Sequence, residues 1–321
     1  MSRIVRYQTS IENYIKTRSL YSDLITSSNK LEELLNVHEH EIFIILLTIQ
    51  SGQYKKTKLK MHHCYHTAFG LDILLSLIII KDNLHYYEKN YDTNILKLIL
   101  THAPIHSFDT ITRNMEAFMN TVDKGKLLDI QIKINKYLHD KLITILDVDE
   151  LKGTSKPHKT DIIKYNFNDK SLIDTNYRKL KIIDKDILID YVNKTYGTIC
   201  QCAFVIGWLL GLGDEKMINN LERLGIHLGM LLKISQDFQN LERDLKNSHS
   251  TTTSNMIINY GIHKCFDLFD DAKAKLIEGC HTMDIFNITI GEIIDKIESK
   301  FDDQLKKTDL ELNSRYTSFS D

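Results

Sequence analysis

Helix and strand breakers are nearly missing from this chain: two prolines and thirteen glycines are spread over 321 residues. Proline removes a backbone donor and glycine raises the entropic cost of ordering, so their scarcity leaves long uninterrupted segments. Those segments carry apolar residues at helical spacing, and no run alternates strictly for long enough to make a good strand. The periodicity predicts helices over about 9–28, 29–51, 56–81, 93–121, 125–148, 186–211, 214–247, 251–280 and 285–310. Asp214 and Thr252 are suited to N-caps, Gly213 marks a turn and Gly261 a helix irregularity. The stretch 150–185, with Pro157 and mixed charge, reads as a long loop or insertion with room for one short helix. The expectation is an all-α fold in a single domain over 1–321.

Hydrophobic residues make up 42% of the chain, enough for a substantial core, and the net charge is −2. A weakly acidic chain has no field that favours polyanions, which argues against nucleic acid as a partner. The five cysteines at 64, 200, 202, 265 and 280 have no zinc spacing and read as buried, reduced thiols. The opening MSRIVRYQTSIENY has no apolar leader core. The longest apolar runs, Ile42–Ile49 and Ile73–Ile80, fall short of the roughly 18 residues that span a bilayer. A soluble, cytoplasmic protein is expected.

The stretch that carries chemistry is 194–244. Lys194-Thr195 opens one helical segment, and Gln236-Asp237-Phe238-Gln239-Asn240 closes the next, 42 positions later. Small residues lie between them at near-helical intervals (Gly197, Cys200, Ala203, Gly207, Gly211), followed by Leu-Gly-Ile-His-Leu-Gly-Met at 224–230. Gln236, Asn240 and Asp244 recur every four residues and share one helix face. Each ends in an oxygen donor, a pattern that can hold a hard cation and, through it, a diphosphate, although only one carries charge.

With these residues in place, the chain resembles the trans-isoprenyl diphosphate synthases, the polyprenyl synthetase family, over roughly 40–300. Lys194-Thr195 match the family's Lys-Thr pair, and Gln236-Asp237-Phe238-Gln239-Asn240 occupies its second Asp-Asp-x-x-Asp motif. Lys246 stands where a downstream lysine meets diphosphate. Upstream, Gly52 with Lys55, Lys56, Lys58 and Lys60 stands in for a Gly-Lys-x-x-Arg-Pro element. His102 lies seven residues before Asp109, as the family's histidine precedes its first aspartate motif. There, Asp109-Thr110-Ile111-Thr112-Arg113 keeps one acid of three.

The resemblance implies an isoprenoid-synthase-type helical bundle around a central apolar cavity. It implies transfer of an allylic prenyl group to isopentenyl diphosphate, with Mg2+ held by the aspartate motifs. On that correspondence Asp109, Asp237 and Lys194 are the catalytic candidates, and Asp109, Gln236, Asp237, Asn240 and Asp244 the metal candidates. Lys55, Lys58, His102, Arg113, Lys194, Thr195 and Lys246 are the candidates for binding diphosphate. Four of the family's six aspartates are non-acidic here, which weakens the implied Mg2+ sites. A second reading follows: a catalytically silent subunit or pseudoenzyme that binds isoprenyl diphosphates, as a homodimer or paired with an active synthase. Class I terpene synthases offer a third, since Gln236, Asn240 and Asp244 fall on their metal-motif spacing and Arg315-Tyr316 lies 79 residues after Gln236.

His62 with His66 and His102 with His106 form i,i+4 pairs, but Asp72 and Asp109 do not complete a metal set with them. His38 and His40 are expected at the surface of a helix start, and Trp208 in the core.

Overall fold

The computed structural model describes residues 2–17, 38–52, 59–114, 124–146, 148, 151, 161–247 and 253–307. In its first half the helices are α1 (Arg3–Thr17), α2 (Glu41–Gly52), α3 (Tyr65–Asp82) behind a 3-10 turn at Met61–Cys64, α4 (Leu84–Asn90), α5 (Thr93–Thr112) and α6 (Lys124–Leu146). There follow α7 (Ser171–Thr175), α8 (Lys185–Val192), a π turn at Asn193–Gly197 and α9 (Thr198–Leu210). The last are α10 (Ile218–Asn247), α11 (Met256–Tyr260), α12 (Ile262–Thr282) and α13 (Ile288–Leu305). Among the described residues β structure is limited to isolated bridges at Tyr165, Lys181 and Ile182. The protein is all-α.

The chain divides into two compact units. The first comprises 1–148, 193–229 and 275–293, and the second 149–192, 230–274 and 294–321. Consequently α10, α12 and α13 each contribute residues to both.

In the first unit α3 packs against α2 and α5, and α9 packs against α2 and α6. Helix α2 is buried along Glu41–Gln50, which suits an element apolar on every side. Met61–Asp82 is long and apolar enough to cross a membrane, yet 89% of its most apolar window is buried, as in a core helix. Missing side chains set the spacing: a Cβ on Gly207 would stand 2.6 Å from the Leu46 carbonyl oxygen, and one on Gly70 2.8 Å from that of Ser107. The small residues along 197–211 are therefore used for packing within the chain. Trp208 is buried as expected, and its indole N–H donates to the Asp214 carbonyl at 3.0 Å. All five cysteines are free and buried, and burial pushes the Cys202 thiol up to about 12.

His38 and His40 do start a helix, but they are not surface residues. Their side chains are only 5% and 12% exposed, drawn in by Asp72, which is buried in the middle of α3. Burial by itself lowers the His38 imidazole, but Asp72 and Glu41 outweigh it and raise it to about 9. Nothing local in His38-Glu39-His40-Glu41 signals burial; the partner that draws the rings in, Asp72, lies 32 residues beyond His40.

In the second unit the rings of Phe238 and Phe269 pack on Phe301, with centroids 4.7 and 4.1 Å away. The described part of the expected loop, 161–184, forms short turns rather than an open excursion. Ile162, Tyr165, Phe167, Leu172, Tyr177, Leu180 and Ile183 are all buried there. Their spacing follows no single period, so the stretch packs without becoming a long helix. Asp214 caps the turn before α10 through the Lys216 N–H, as expected, whereas Thr252 lies outside the described residues. Asn255 caps α11 by accepting from the Ile257 and Ile258 N–H groups.

Gly261 separates α11 from α12 at φ 86°, ψ 163°, a region essentially reserved for glycine. A Cβ there would also meet the Asp161 carboxylate at 2.5 Å. Gly261→Ala is expected to lower unfolding free energy by about 1–3 kcal/mol in urea titrations. An unchanged midpoint would mean that the junction relaxes freely.

Candidate functional site

Lys194 and Thr195 lie on the π turn between α8 and α9. A wide turn of this kind displaces one backbone bond and is often found at functional positions. Here its cause is visible in the packing of the first unit. Gly229 on α10 sits against the backbone of Tyr196 and Gly197, where a Cβ would be 2.5 Å from the Gly197 nitrogen. Gly225, one turn earlier, sits equally close to the Gln201 nitrogen, at 2.4 Å. The Thr198 hydroxyl donates back to the Asn193 carbonyl at 3.1 Å, and the Tyr196 hydroxyl donates to Asp82 at 3.1 Å. Held this way, Lys194 is exposed and Thr195 is 5% exposed.

Asp109 and Arg113 lie one turn apart at the end of α5. Their side chains, 48% and 49% exposed, form an ion pair at 2.7 Å. The opposite face of this segment is committed to α3: the Ser107 hydroxyl donates to the Gly70 carbonyl at 2.6 Å, and the Asn114 side chain accepts the Thr67 N–H at 3.2 Å. An exposed pair of this kind is worth at most about 1 kcal/mol, so it holds Asp109 loosely. His102 is half-buried, two turns earlier on the same helix.

The second motif lies in the second unit, on α10, and its one retained aspartate is engaged on both oxygens. Asp237 is 3% exposed. One oxygen accepts from the Lys233 ammonium at 2.7 Å, and the other from the Met256 N–H at 2.7 Å. Lys233 is itself 1% exposed and sits four residues before its partner on the same helix face. The Asn255 amide donates to the Asp237 carbonyl at 2.9 Å and to the Asp244 carboxylate at 2.8 Å. Asp244 also accepts from the adjacent Arg243 at 3.0 Å. Burial raises the Asp244 carboxyl, with Arg243 and Asn255 opposing. Gln236 and Asn240 are half-buried on this helix, and Lys246 is exposed near its end.

Lys233 and Asn255 are the residues that sequence reading passed over. Lys233 was detectable as a lone lysine in the apolar run Leu231-Leu232-Lys233-Ile234, four positions before an acid. Asn255 had no comparable local signal, because its role depends on the loop between α10 and α11. Lys55, Lys58, Arg315 and Tyr316 lie outside the described residues. Of the other histidines, His66 is buried, with its Nδ1 2.8 Å from the Tyr14 hydroxyl. Among the described residues, no group of three at metal-ligand distance includes His62, His66, His102 or His106.

No protein-family model matches the sequence, and no curated protein does. Solved structures do. A geranyltranstransferase from Thermotoga maritima superposes with a TM-score of 0.55 at 11% identity, covering 94% of this chain and 99% of that one. An FPP/GFPP synthase from Zymomonas mobilis gives 0.55 at 9% identity, over 92% and 99% of the two chains. A geranyltranstransferase from Methanosarcina mazei gives 0.52 at 13% identity, over 94% and 98%. The chain has the trans-isoprenyl diphosphate synthase fold. At these identities the likeness is one of architecture, and it spans nearly the full length on both sides. Within the isoprenyl-synthase fold, Asp237 and Asp109 stand as described: the first in a buried ion pair, the second in an exposed one.

Proposed function

We propose that this protein binds an isoprenoid diphosphate without converting it, as a catalytically silent counterpart of the synthases whose fold it has. The observation that carries this reading is the buried Lys233–Asp237 pair. Mg2+ prefers octahedral oxygen coordination with carboxylates among its ligands. For Asp237 to ligate Mg2+, it would have to give up its buried ion pair with Lys233 and release the Met256 N–H at the start of α11. Asp244 is tied to Asn255 and Arg243, and Asp109, only loosely paired with Arg113, stands as a single acid in its motif. Gln236 and Asn240 offer neutral oxygens only. This donor set does not fit the Mg2+ cluster of a synthase.

Diphosphate binding in this reading falls to cations. Lys194 with the Thr195 backbone is the first candidate, with Arg113, His102, Lys246, Lys55 and Lys58 as further ones. A silent isoprenoid-binding chain is suited to pairing with a second copy or with an active synthase.

The test supplies geranyl, farnesyl and geranylgeranyl diphosphate with Mg2+ and labelled isopentenyl diphosphate to the folded protein. We expect calorimetric binding of at least one allylic diphosphate and no elongated product. Lys194→Ala is expected to weaken that binding about tenfold, the scale of one charge-assisted contact. Elongation would overturn silence and make Asp109 and Asp237 the next positions to mutate. Absence of binding by all three diphosphates would remove the ligand class.

A further inference from the structure

The densest set of metal-ligating groups in the described residues lies away from both aspartate motifs. It joins the start of α2 to the middle of α3, wholly within the first unit. One ligand atom each from His38, His40 and Asp72 falls within 4.8 Å of the others. His40 Nδ1 lies 2.5 Å from one Asp72 oxygen, and His38 Nδ1 lies 3.8 Å from the other. Ligand atoms at the usual zinc distance of about 2.0–2.2 Å stand roughly 3.3 Å apart in a tetrahedron, so an ion fits with small side-chain shifts.

The protonation pattern is already that of a ligand. His38 Nε2 lies 2.9 Å from the Ser76 hydroxyl and 3.2 Å from the Asp72 carbonyl. A carbonyl only accepts, so Nε2 carries the hydrogen and donates. Metal-bound histidines are oriented in this way, with the far ring nitrogen donating to a carbonyl or carboxylate. His38 Nδ1 is the nitrogen that faces the two carboxylates, and the His40 N–H approaches it at 3.0 Å. Binding an ion exchanges that amide for the metal.

Charge and backbone agree. Two carboxylates, Asp72 at 2% exposure and Glu41 at 8%, approach a single ring nitrogen, the Glu41 oxygen standing 3.6 Å from His38 Nδ1. Two buried carboxylates converging on one imidazole make this spot favourable for a bound cation. His40 is held at φ 63°, an uncommon conformation for a non-glycine residue. That conformation turns its ring onto Asp72.

We propose that His38, His40 and Asp72 form a structural binding site for a divalent transition-metal ion of the zinc class, with Glu41 as its fourth ligand. Two imidazoles and carboxylates suit zinc, and the near absence of exposure leaves little room for a reacting water. The site clips the amino end of α2 onto α3, and it is independent of isoprenoid binding.

The experiment strips the full chain with chelator and titrates it with zinc or cobalt chloride. Bound metal is read by elemental analysis, cobalt by its visible d–d absorption, and stability by thermal melting. Asp72 also approaches the Phe43 N–H, so its replacement can disturb folding by itself. His40→Asn is the better variant, since asparagine tolerates the left-handed backbone and removes the ring nitrogen. We expect one zinc per chain, a tetrahedral cobalt spectrum and a melting temperature raised by zinc. In folded His40→Asn, metal affinity falls by roughly 100-fold or more and the zinc-dependent rise disappears. No stoichiometric uptake by wild type overturns the proposal. So does uptake that survives His40→Asn but is lost when His62 and His63 are changed to alanine.

Discussion

Lys233→Met lowers the unfolding free energy by about 3–5 kcal/mol, the cost of leaving a buried carboxylate without its counter-charge. The cost falls on Asp237, which is 3% exposed and whose other oxygen accepts the Met256 N–H at the start of α11. The effect is expected as a large fall in the urea midpoint, with the slope unchanged. Adding Asp237→Asn to Lys233→Met removes the orphaned charge while keeping an acceptor for the Met256 N–H. The double variant should therefore recover most of the lost stability, a strongly non-additive cycle. If Lys233→Met costs under about 1 kcal/mol, the aspartate is not locked in this pair. Asp237 could then turn to a Mg2+ ion at little cost.

Gly229→Ala is the second large effect. Its Cβ would stand 2.5–2.6 Å from Gly197 N, Gly197 Cα and the Tyr196 carbonyl carbon, all backbone atoms that no rotamer change can move aside. Overpacking of this kind costs about 1–3 kcal/mol when side chains yield, and the upper end applies here because the helices must separate. Gly52→Ala is the control, because among the described residues nothing lies within 4 Å of its added Cβ. We expect Gly229→Ala to lower stability by about 3 kcal/mol and Gly52→Ala to leave it nearly unchanged or slightly raised. Because Gly229 backs the π turn, the same substitution should weaken isoprenoid-diphosphate binding more than Arg113→Ala does. Equal stability of the two glycine variants would show that α9 and α10 are not in backbone contact.

The helices were legible because periodicity and the scarcity of breakers are local properties. The Asp214 cap and the break at Gly261 were legible for the same reason, each needing only its neighbours in sequence. The stretch 161–184 was not, since its buried residues follow no helical period and their burial depends on partners such as Asn259, whose side chain accepts the Ile183 N–H. Lys194-Thr195 could be read as a pair of interest, but the π turn under it could not. That turn exists because Gly229, 32 positions beyond Gly197, lets two backbones touch.

The sequence by itself determined an all-α chain, the approximate places of its long helices, and amides at positions 236 and 240 where the resembled family carries acids. Those follow from composition and spacing, which act over a few turns at most. Only the tertiary structure decided where the remaining charges are used. It pairs Asp237 with Lys233 and Met256, Asp109 with Arg113, and Asp72 with His38 and His40. A carboxylate can ligate, cap or neutralise with the same two oxygens. Which it does is fixed by the groups that burial brings within about 3 Å, where desolvation makes an unpartnered charge too costly to leave.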